Sequence, residues 1–533
     1  MRDLICQIKD HIQPFERQLA LQELETLAAA TPIPIGGDED AALQFRVTTS
    51  VKIGELASKL AYWHTVGARR QEITAQLRSE ATSIIARNGV ALDDLPRVVP
   101  HMVDEKLPNK RCLRYATHGL HEYRGKFFPQ LVHAFMNMAS VPADGIVLDP
   151  MCGSGTTLVE AVLSGRSAYG LDMNPLSVFV SEVKCEALSI DPKGLIKAYN
   201  DLSERLANPS PMLGGTSYFE TLAGIDRDYL KRWFAPSVLD ELDHVELAVA
   251  ALRPESVRNF YRLCLSNILR GVSWQKDDDL RVRKEVTPIK KGEAIARFLD
   301  EARRSTKTLV AFIAQRGRKG IGRYTVHEAD ARDAAGKLHP MKGSVDAVIT
   351  SPPYATALPY LDTDRLSLIY LGLLGRDEHR RRDAVMIGNR EITERTRESY
   401  WNTYCKDRAL LPEDTSALID RIDELNRNAN VGFRRRNLSA LLAKYFFDMR
   451  NVLASQFDLL RPGGVMFLVI GNNRTTAGGE EIEIRTTHHL TKIAQSVGFR
   501  LAGDLSMQML SSRDIFRKNA MASEQILTLQ KDQ

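Results

Sequence analysis

The chain has 533 residues, 44% of them apolar and 26% charged, with a formal net charge of +5. That length exceeds one small domain, and the composition is that of a soluble globular protein with a sizeable core. Its six cysteines are scattered without a Cys-x-x-Cys pair. The spacing argues against a disulfide framework or a zinc site and fits a reducing cytoplasm. No stretch approaches the ~20 apolar residues of a membrane span, and the charged first ten residues do not resemble a secretory signal.

In chain order, residues 1–100 read as a helical accessory domain. Leu4, Ile8, Ile12, Phe15, Leu19 and Leu24 recur near helical spacing, as do Leu56, Leu60 and Trp63. From about 112 the texture changes. Gly145-Ile-Val-Leu-Asp149 is a short apolar strand ending in an acid and a glycine-rich turn, 156–163 reads as a helix, and Ala168-Tyr-Gly-Leu-Asp172 is a second strand ending in an acid. Residues 191–322 read as a helical insertion whose end, 280–323, holds thirteen Lys/Arg against four Asp/Glu. Strands return at 323–327 and 345–349. Residues 375–440 form a second, highly charged insertion, and strands at 465–470, near 499–503 and at 525–529 complete the pattern. Alternating strands and helices around two insertions predict a doubly wound α/β sheet. Its core segments are 112–190, 323–374 and 441–533. In such sheets ligands bind at the carboxyl ends of the strands, where two motifs stand.

The first is Asp149-Pro-Met-Cys-Gly-Ser-Gly-Thr156. Gly153 and Gly155 permit a tight turn and close backbone approach to a ligand. Asp149 can hold an ammonium group, the helix beginning near Thr156 offers free N–H groups to a carboxylate, and Asp172 can accept from ribose hydroxyls. Pro150, Thr156 and Asn174 complete the candidate set. Together these contacts suit S-adenosylmethionine. A phosphate-binding loop would need Gly-Lys-Ser/Thr, and a dinucleotide loop a third glycine; neither is present. A purely structural turn is the remaining alternative.

The second motif, Asp346-Ala-Val-Ile-Thr-Ser-Pro-Pro-Tyr354, ends a buried strand with a rigid turn. Pro352 and Pro353 fix φ and remove backbone donors. The Pro352 carbonyl and Ser351 Oγ can then accept both hydrogens of a substrate amine, and Tyr354 can stack on an extruded base. Catalysis would be positioning for an in-line displacement. A strand-capping proline turn is the bland reading. No cysteine stands in this loop, which argues against methylation at a ring carbon.

With both motifs in place the chain resembles the amino-group DNA methyltransferases, which modify N4 of cytosine or N6 of adenine. The resemblance spans roughly 112–185 and 323–525. It implies a Rossmann-like methyltransferase sheet, S-adenosylmethionine as cofactor and double-stranded DNA as substrate, with a cognate restriction or defence component as a further partner. His121-Glu-Tyr-Arg-Gly-Lys-Phe-Phe-Pro-Gln-Leu resembles the segment preceding the family's cofactor loop, which makes Phe127 a cofactor-packing candidate. Asp330 resembles the family's adenine-amine contact, and Arg461-Pro-Gly-Gly the turn before the fifth strand. Ser-Pro-Pro-Tyr favours cytosine N4, with adenine N6 as the alternative. An RNA amino-methyltransferase and a non-catalytic DNA-binding component remain open. For DNA contact the basic stretch 280–323 is the first candidate and 376–436 the second. Two histidine pairs, His118/His121 and His488/His489, lack the neighbouring Cys or acids of a metal site, and no metal is expected.

Overall fold

The computed structural model describes residues 1–123, 125, 128–207, 217–276, 282–355, 360–389, 392–508 and 523–533. Its N-terminal part is not all-helical as the periodicity predicts. Five strands, β1 (Arg2–Ile8), β2 (Ile33–Ile35), β3 (Gln44–Thr49), β4 (Trp63–Gly67) and β5 (Gln71–Ile73), form an antiparallel sheet in the order β2-β3-β1-β4-β5. Helices Pro14–Ala28 and Ala75–Arg87 accompany it. Leu4 and Ile8 were the misleading signal. A spacing of four is one helical turn but also two strand repeats, and in β1 Leu4, Cys6 and Ile8 all face inward. Trp63 is fully buried against Phe45, edge to face at 5.8 Å, and donates to Ala20 O.

The second sheet has seven strands: β6 (Ile146–Asp149), β7 (Ser167–Asp172), β8 (Tyr324–Glu328), β9 (Val345–Thr350), β10 (Leu460–Gly471), β13 (Arg500–Gln508) and β14 (Ser523–Gln530). A hairpin of β11 (Asn473–Ala477) and β12 (Glu480–Ile484) follows β10. The order is β13-β14-β10-β9-β6-β7-β8, parallel from β10 to β8, with β14 antiparallel to both neighbours. This is the expected doubly wound sheet. The chain leaves β6 towards β7 and β8, then returns to β9 on the other side of β6, so the topological switch lies between β6 and β9.

All six residues of β9 are buried, and its apolar ones divide between two cores. Ala347 and Ile349 pack with Phe135 and Val159 on one face; Val348 packs with Leu442 and Leu453 on the other. A strand covered on both faces reads as a largely apolar run; β9 keeps Ala347-Val-Ile349 apolar, while Asp346 accepts from Ile146 N and Arg461 Nε. The first of these cores runs without a break into the N-terminal sheet. Buried polar links reinforce the junction: Asn137 donates to Glu23 and to Lys59 O, and Gln130 to Glu80.

Inside helix Thr156–Leu163, Glu160 is buried and accepts from Tyr115 Oη at 2.6 Å and His118 Nε2 at 2.7 Å, with His133 Nδ1 at 3.3 Å. This cluster ties the 112–121 connection and helix Pro129–Met138 to the helix that begins at the cofactor loop. No described helix is long and apolar enough to cross a membrane.

Candidate active site

At the switch point the ends of β6 and β9 are held together by the first motif itself. The Asp149 carboxylate accepts from Met151 N and lies against the Thr350 and Thr157 hydroxyls; burial pushes it up to about 7 despite these donors. Thr157 Oγ1 donates to Ile349 O. The residue before Ser351 is thus coupled to the residue that opens the glycine loop.

A cavity of about 400 Å³ lies above this junction. Its wall includes Pro150, Gly153, Thr156, Asp172 and Asn174 from the cofactor set and Ser351, Pro352, Pro353 and Tyr354 from the catalytic set. The two motifs, nearly 200 residues apart in sequence, share one space. Asp172 accepts from Gly153 N at 2.9 Å and Asn174 N at 2.8 Å, and burial pushes its carboxyl up to about 6 against these donors. Asn174 caps helix Pro175–Ala187 through Leu176 N and donates to Asp364, so its side chain is committed to the scaffold.

Three expected contacts fall elsewhere. Asp149 is not on the cavity wall, because its carboxylate is turned inward between β6 and β9. Gly155 is required by the protein's own packing: its φ is +75°, and a Cβ there would stand 2.8 Å from Ser181 Oγ. Gly153, at φ +49°, does line the cavity, yet a Cβ on it would meet the Tyr123 ring at 3.0 Å. Asp330 is engaged by Arg332, which also reaches Asp448 and Val385 O, so its neighbours Ala329 and Ala331 form the wall instead. Phe127 lies outside the described residues; the adjacent Phe128 lines the cavity and carries the Arg111 guanidinium 4.3 Å from its ring centre.

Several wall residues were not anticipated. Tyr123 closes over Gly153, a role hinted at by its place in the His121–Leu131 segment. Met386 and Ile387 come from the charged insertion, where they end the short apolar run Ala384-Val-Met-Ile387. Glu524 opens β14 and accepts from the Tyr354 hydroxyl; burial raises its carboxyl pKa. Its only sequence signal is an acid heading an apolar terminal strand. Gly388, at φ +77°, presses on the Ser351–Tyr354 loop: a Cβ would be 3.0 Å from Tyr354 O and 3.1 Å from Pro353 Cβ. Gly388→Ala is therefore expected to displace that loop and lower kcat by up to about 10²-fold with cofactor affinity intact. Single-turnover rates beside calorimetric cofactor titration check this; an unchanged kcat would remove Gly388 from the site.

Of the basic stretch, residues 282–323 are described, and much of its helix is turned inward. Helix Glu293–Arg316 buries Ser305 to Ile313 and pairs Arg297 with Glu293 and Arg304 with Glu301. Its end sits at the amino edge of the sheet, where Arg316 donates to Leu163 O and Gly322 N to Val162 O. Histidines 118 and 121 bond Glu160 and Ser266. His488 and His489, in contrast, gain an acidic neighbour from afar: Asp414 contacts His488 at 2.5 Å, and ligand atoms of the three lie within 4.8 Å.

The residues at the cavity fit S-adenosylmethionine. Ser154 Oγ, on the wall and buried, has no hydrogen-bond partner among the described residues, and such an orphan is costly unless a ligand satisfies it. Asp172 supplies a carboxylate for hydroxyls, and Met151, Met173, Ala329 and Ala331 supply apolar surface for an aromatic ring.

Comparison with known proteins agrees. Residues 120–199 match the "RMKL-like, methyltransferase domain" family. The Type II methyltransferase M.MvaI of Kocuria varians is 28% identical over 369 residues, covering 67% of this chain and 77% of that protein. The Type II methyltransferase M.BsoBI of Geobacillus stearothermophilus is 23% identical over 436 residues, 75% and 83% of the two chains. M.MjaII of Methanocaldococcus jannaschii, also a Type II methyltransferase, is 31% identical over 144 residues, 27% of each. The chain is an S-adenosylmethionine-dependent methyltransferase with a Rossmann-like sheet, and over two thirds or more of its length it is similar to Type II methyltransferases.

Proposed function

We propose that the protein methylates an exocyclic amino nitrogen of a base in double-stranded DNA, N4 of cytosine in the first place. The observation that carries this reading is the single cavity walled by both the glycine loop and Ser351–Tyr354. Bound there, S-adenosylmethionine would supply an electrophilic methyl group. Pro150, Gly153, Ser154, Thr156 and Asp172 would hold it, and Asp149 would act from behind by fixing the loop to β9.

Ser351 Oγ and the Pro352 carbonyl accept the two hydrogens of the amine and so aim its lone pair across the cavity. The ring of Tyr354, anchored through its hydroxyl to Glu524, offers the base a stacking face. A base in a duplex must leave the stack to reach this recess, so base flipping is part of the proposal. Catalysis is then orientation and exclusion of water, with no covalent intermediate on the protein.

The test is transfer of a labelled methyl group from cofactor to duplex DNA, with the same assay on RNA in parallel, followed by nucleoside analysis. N4-methylcytosine is the expected product. N6-methyladenine would correct the base but keep the reaction, and label in RNA alone would overturn the DNA reading. Modification-aware sequencing of DNA from expressing cells would add the sequence context. The relatives' Type II designation supports a cognate restriction component as partner. Co-purification with a nuclease activity is the check.

A further inference from the structure

We propose that the turn Phe433–Arg436, within the charged insertion, is the surface that grips the duplex beside the target base. This rests on the DNA reading above and goes beyond it by assigning the contact to one of two insertions. Helix Glu293–Arg316 carries its basic end to the amino edge of the sheet, where Arg318 pairs with Asp191. A strand of five or six residues, about 17–20 Å, separates that edge from the cavity.

The charged insertion reaches the cavity directly. Met386 and Ile387 form part of the wall, and Gly388 touches the catalytic loop. A second connection runs through the hairpin. Asn473, at its start, donates to Ala355 O, the residue after Tyr354. At its tip Gly478 N donates to Asn426, which in turn donates to Arg435 O. Buried Asn426 therefore locks the arginine turn onto an element whose other end holds the catalytic loop. Five residues of β11 set a spacing of about 17 Å between these ends. That is roughly five base-pair steps of B-DNA at 3.4 Å each.

The turn has the chemistry such a contact needs. Arg435 and Arg436 are exposed and have no ion-pair partner among the described residues. Phe433 stands beside them with 45% of its surface exposed, an unusual placement for a large apolar side chain. Arg436 also borders a hollow of about 310 Å³ lined by Arg397, Trp401, Arg427 and Asn430. Guanidinium groups meet phosphates, Asn and Arg read base edges, and an exposed aromatic wedges or stacks. Arg397 and Arg427 are paired with Glu394 and Asp423, which holds their forks in fixed directions.

The experiment measures affinity of the full-length protein for a labelled mixed-sequence duplex by fluorescence anisotropy over a salt series. R435A/R436A should bind about tenfold more weakly at physiological salt, with the salt slope reduced by about 2. R318A/K319A, at the opposite edge, should bind as the unaltered protein does. Calorimetric titration with S-adenosylmethionine should give the same affinity for all three, which shows that they are folded. Unchanged affinity and slope in R435A/R436A, or an equal loss in R318A/K319A, would overturn the proposal. If the unaltered protein methylates duplex DNA while R435A/R436A binds it equally well, only the assignment fails. If it has no affinity for duplex DNA and transfers to RNA, the DNA reading fails as well.

Discussion

Ser351→Ala is expected to slow methyl transfer by about 10²–10³-fold, the range seen when one positioned hydrogen-bonding group is removed from a reacting centre. The side chain lines the shared cavity just beyond β9, whose six residues are buried. Loss of one hydroxyl leaves that strand and the glycine loop in place, so affinity for S-adenosylmethionine should not change. Single-turnover kinetics with a calorimetric titration separate the two effects, and a rate equal to the unaltered protein's would strip Ser351 of its role. Tyr354 refines the same test. Tyr354→Phe keeps the ring and removes the hydroxyl that donates to Glu524, whereas Tyr354→Ala also loses stacking worth about 1–3 kcal/mol per base. The alanine variant should be the slower of the two. Equal rates would mean that the hydroxyl's anchorage, and not the ring, is what matters.

Glu160→Ala is expected to destabilise the fold by about 3–5 kcal/mol, the cost of removing one partner from a buried charged cluster. Tyr115, His118 and His133 would lose a common acceptor, a carboxylate that is 2% exposed. Urea unfolding followed by tryptophan fluorescence measures the loss, and a shift within experimental error would show that water replaces the carboxylate. The pH dependence has a defined sign. Burial pushes the Glu160 carboxyl up, but bonds from His118 and His133 outweigh it and bring it down to about 2 from an ordinary 4.5. Its contribution is therefore complete above about pH 4.5 and fades as pH falls towards 2. By linkage that contribution is on the order of 3 kcal/mol. Glu160→Gln should lack this part of the acid transition.

The local pieces of the site were legible from residue order. β9 reads as a strand because Ala347-Val-Ile349 is apolar, and the proline pair that follows fixes a turn. The glycine loop was legible for a similar reason, since two positive-φ positions demand glycine whatever surrounds them. The demand came from unexpected directions, though. Gly155 clears Ser181 and Gly153 clears Tyr123, contacts that no spacing within the loop could announce. The N-terminal sheet was misread because Leu4 and Ile8 satisfy both periods, and strand pairing across 2–49 depends on partners far along the chain.

What the sequence by itself determined is the local motifs: a glycine-rich loop, a Ser-Pro-Pro-Tyr loop, and the apolar strands that end in them. Such features depend on backbone torsions and on neighbours within a few residues, which a linear order states directly. Only the tertiary structure decided which groups share the cavity. Tyr123, Met386 and Glu524 reach it from three separate segments, Asp149 turns away from it, and the basic stretch 280–323 ends on the opposite edge. These outcomes follow from strand order and helix packing, where one crossover at β6 brings together residues hundreds of positions apart. Burial and long-range pairing then select among side chains that look equally eligible in the sequence.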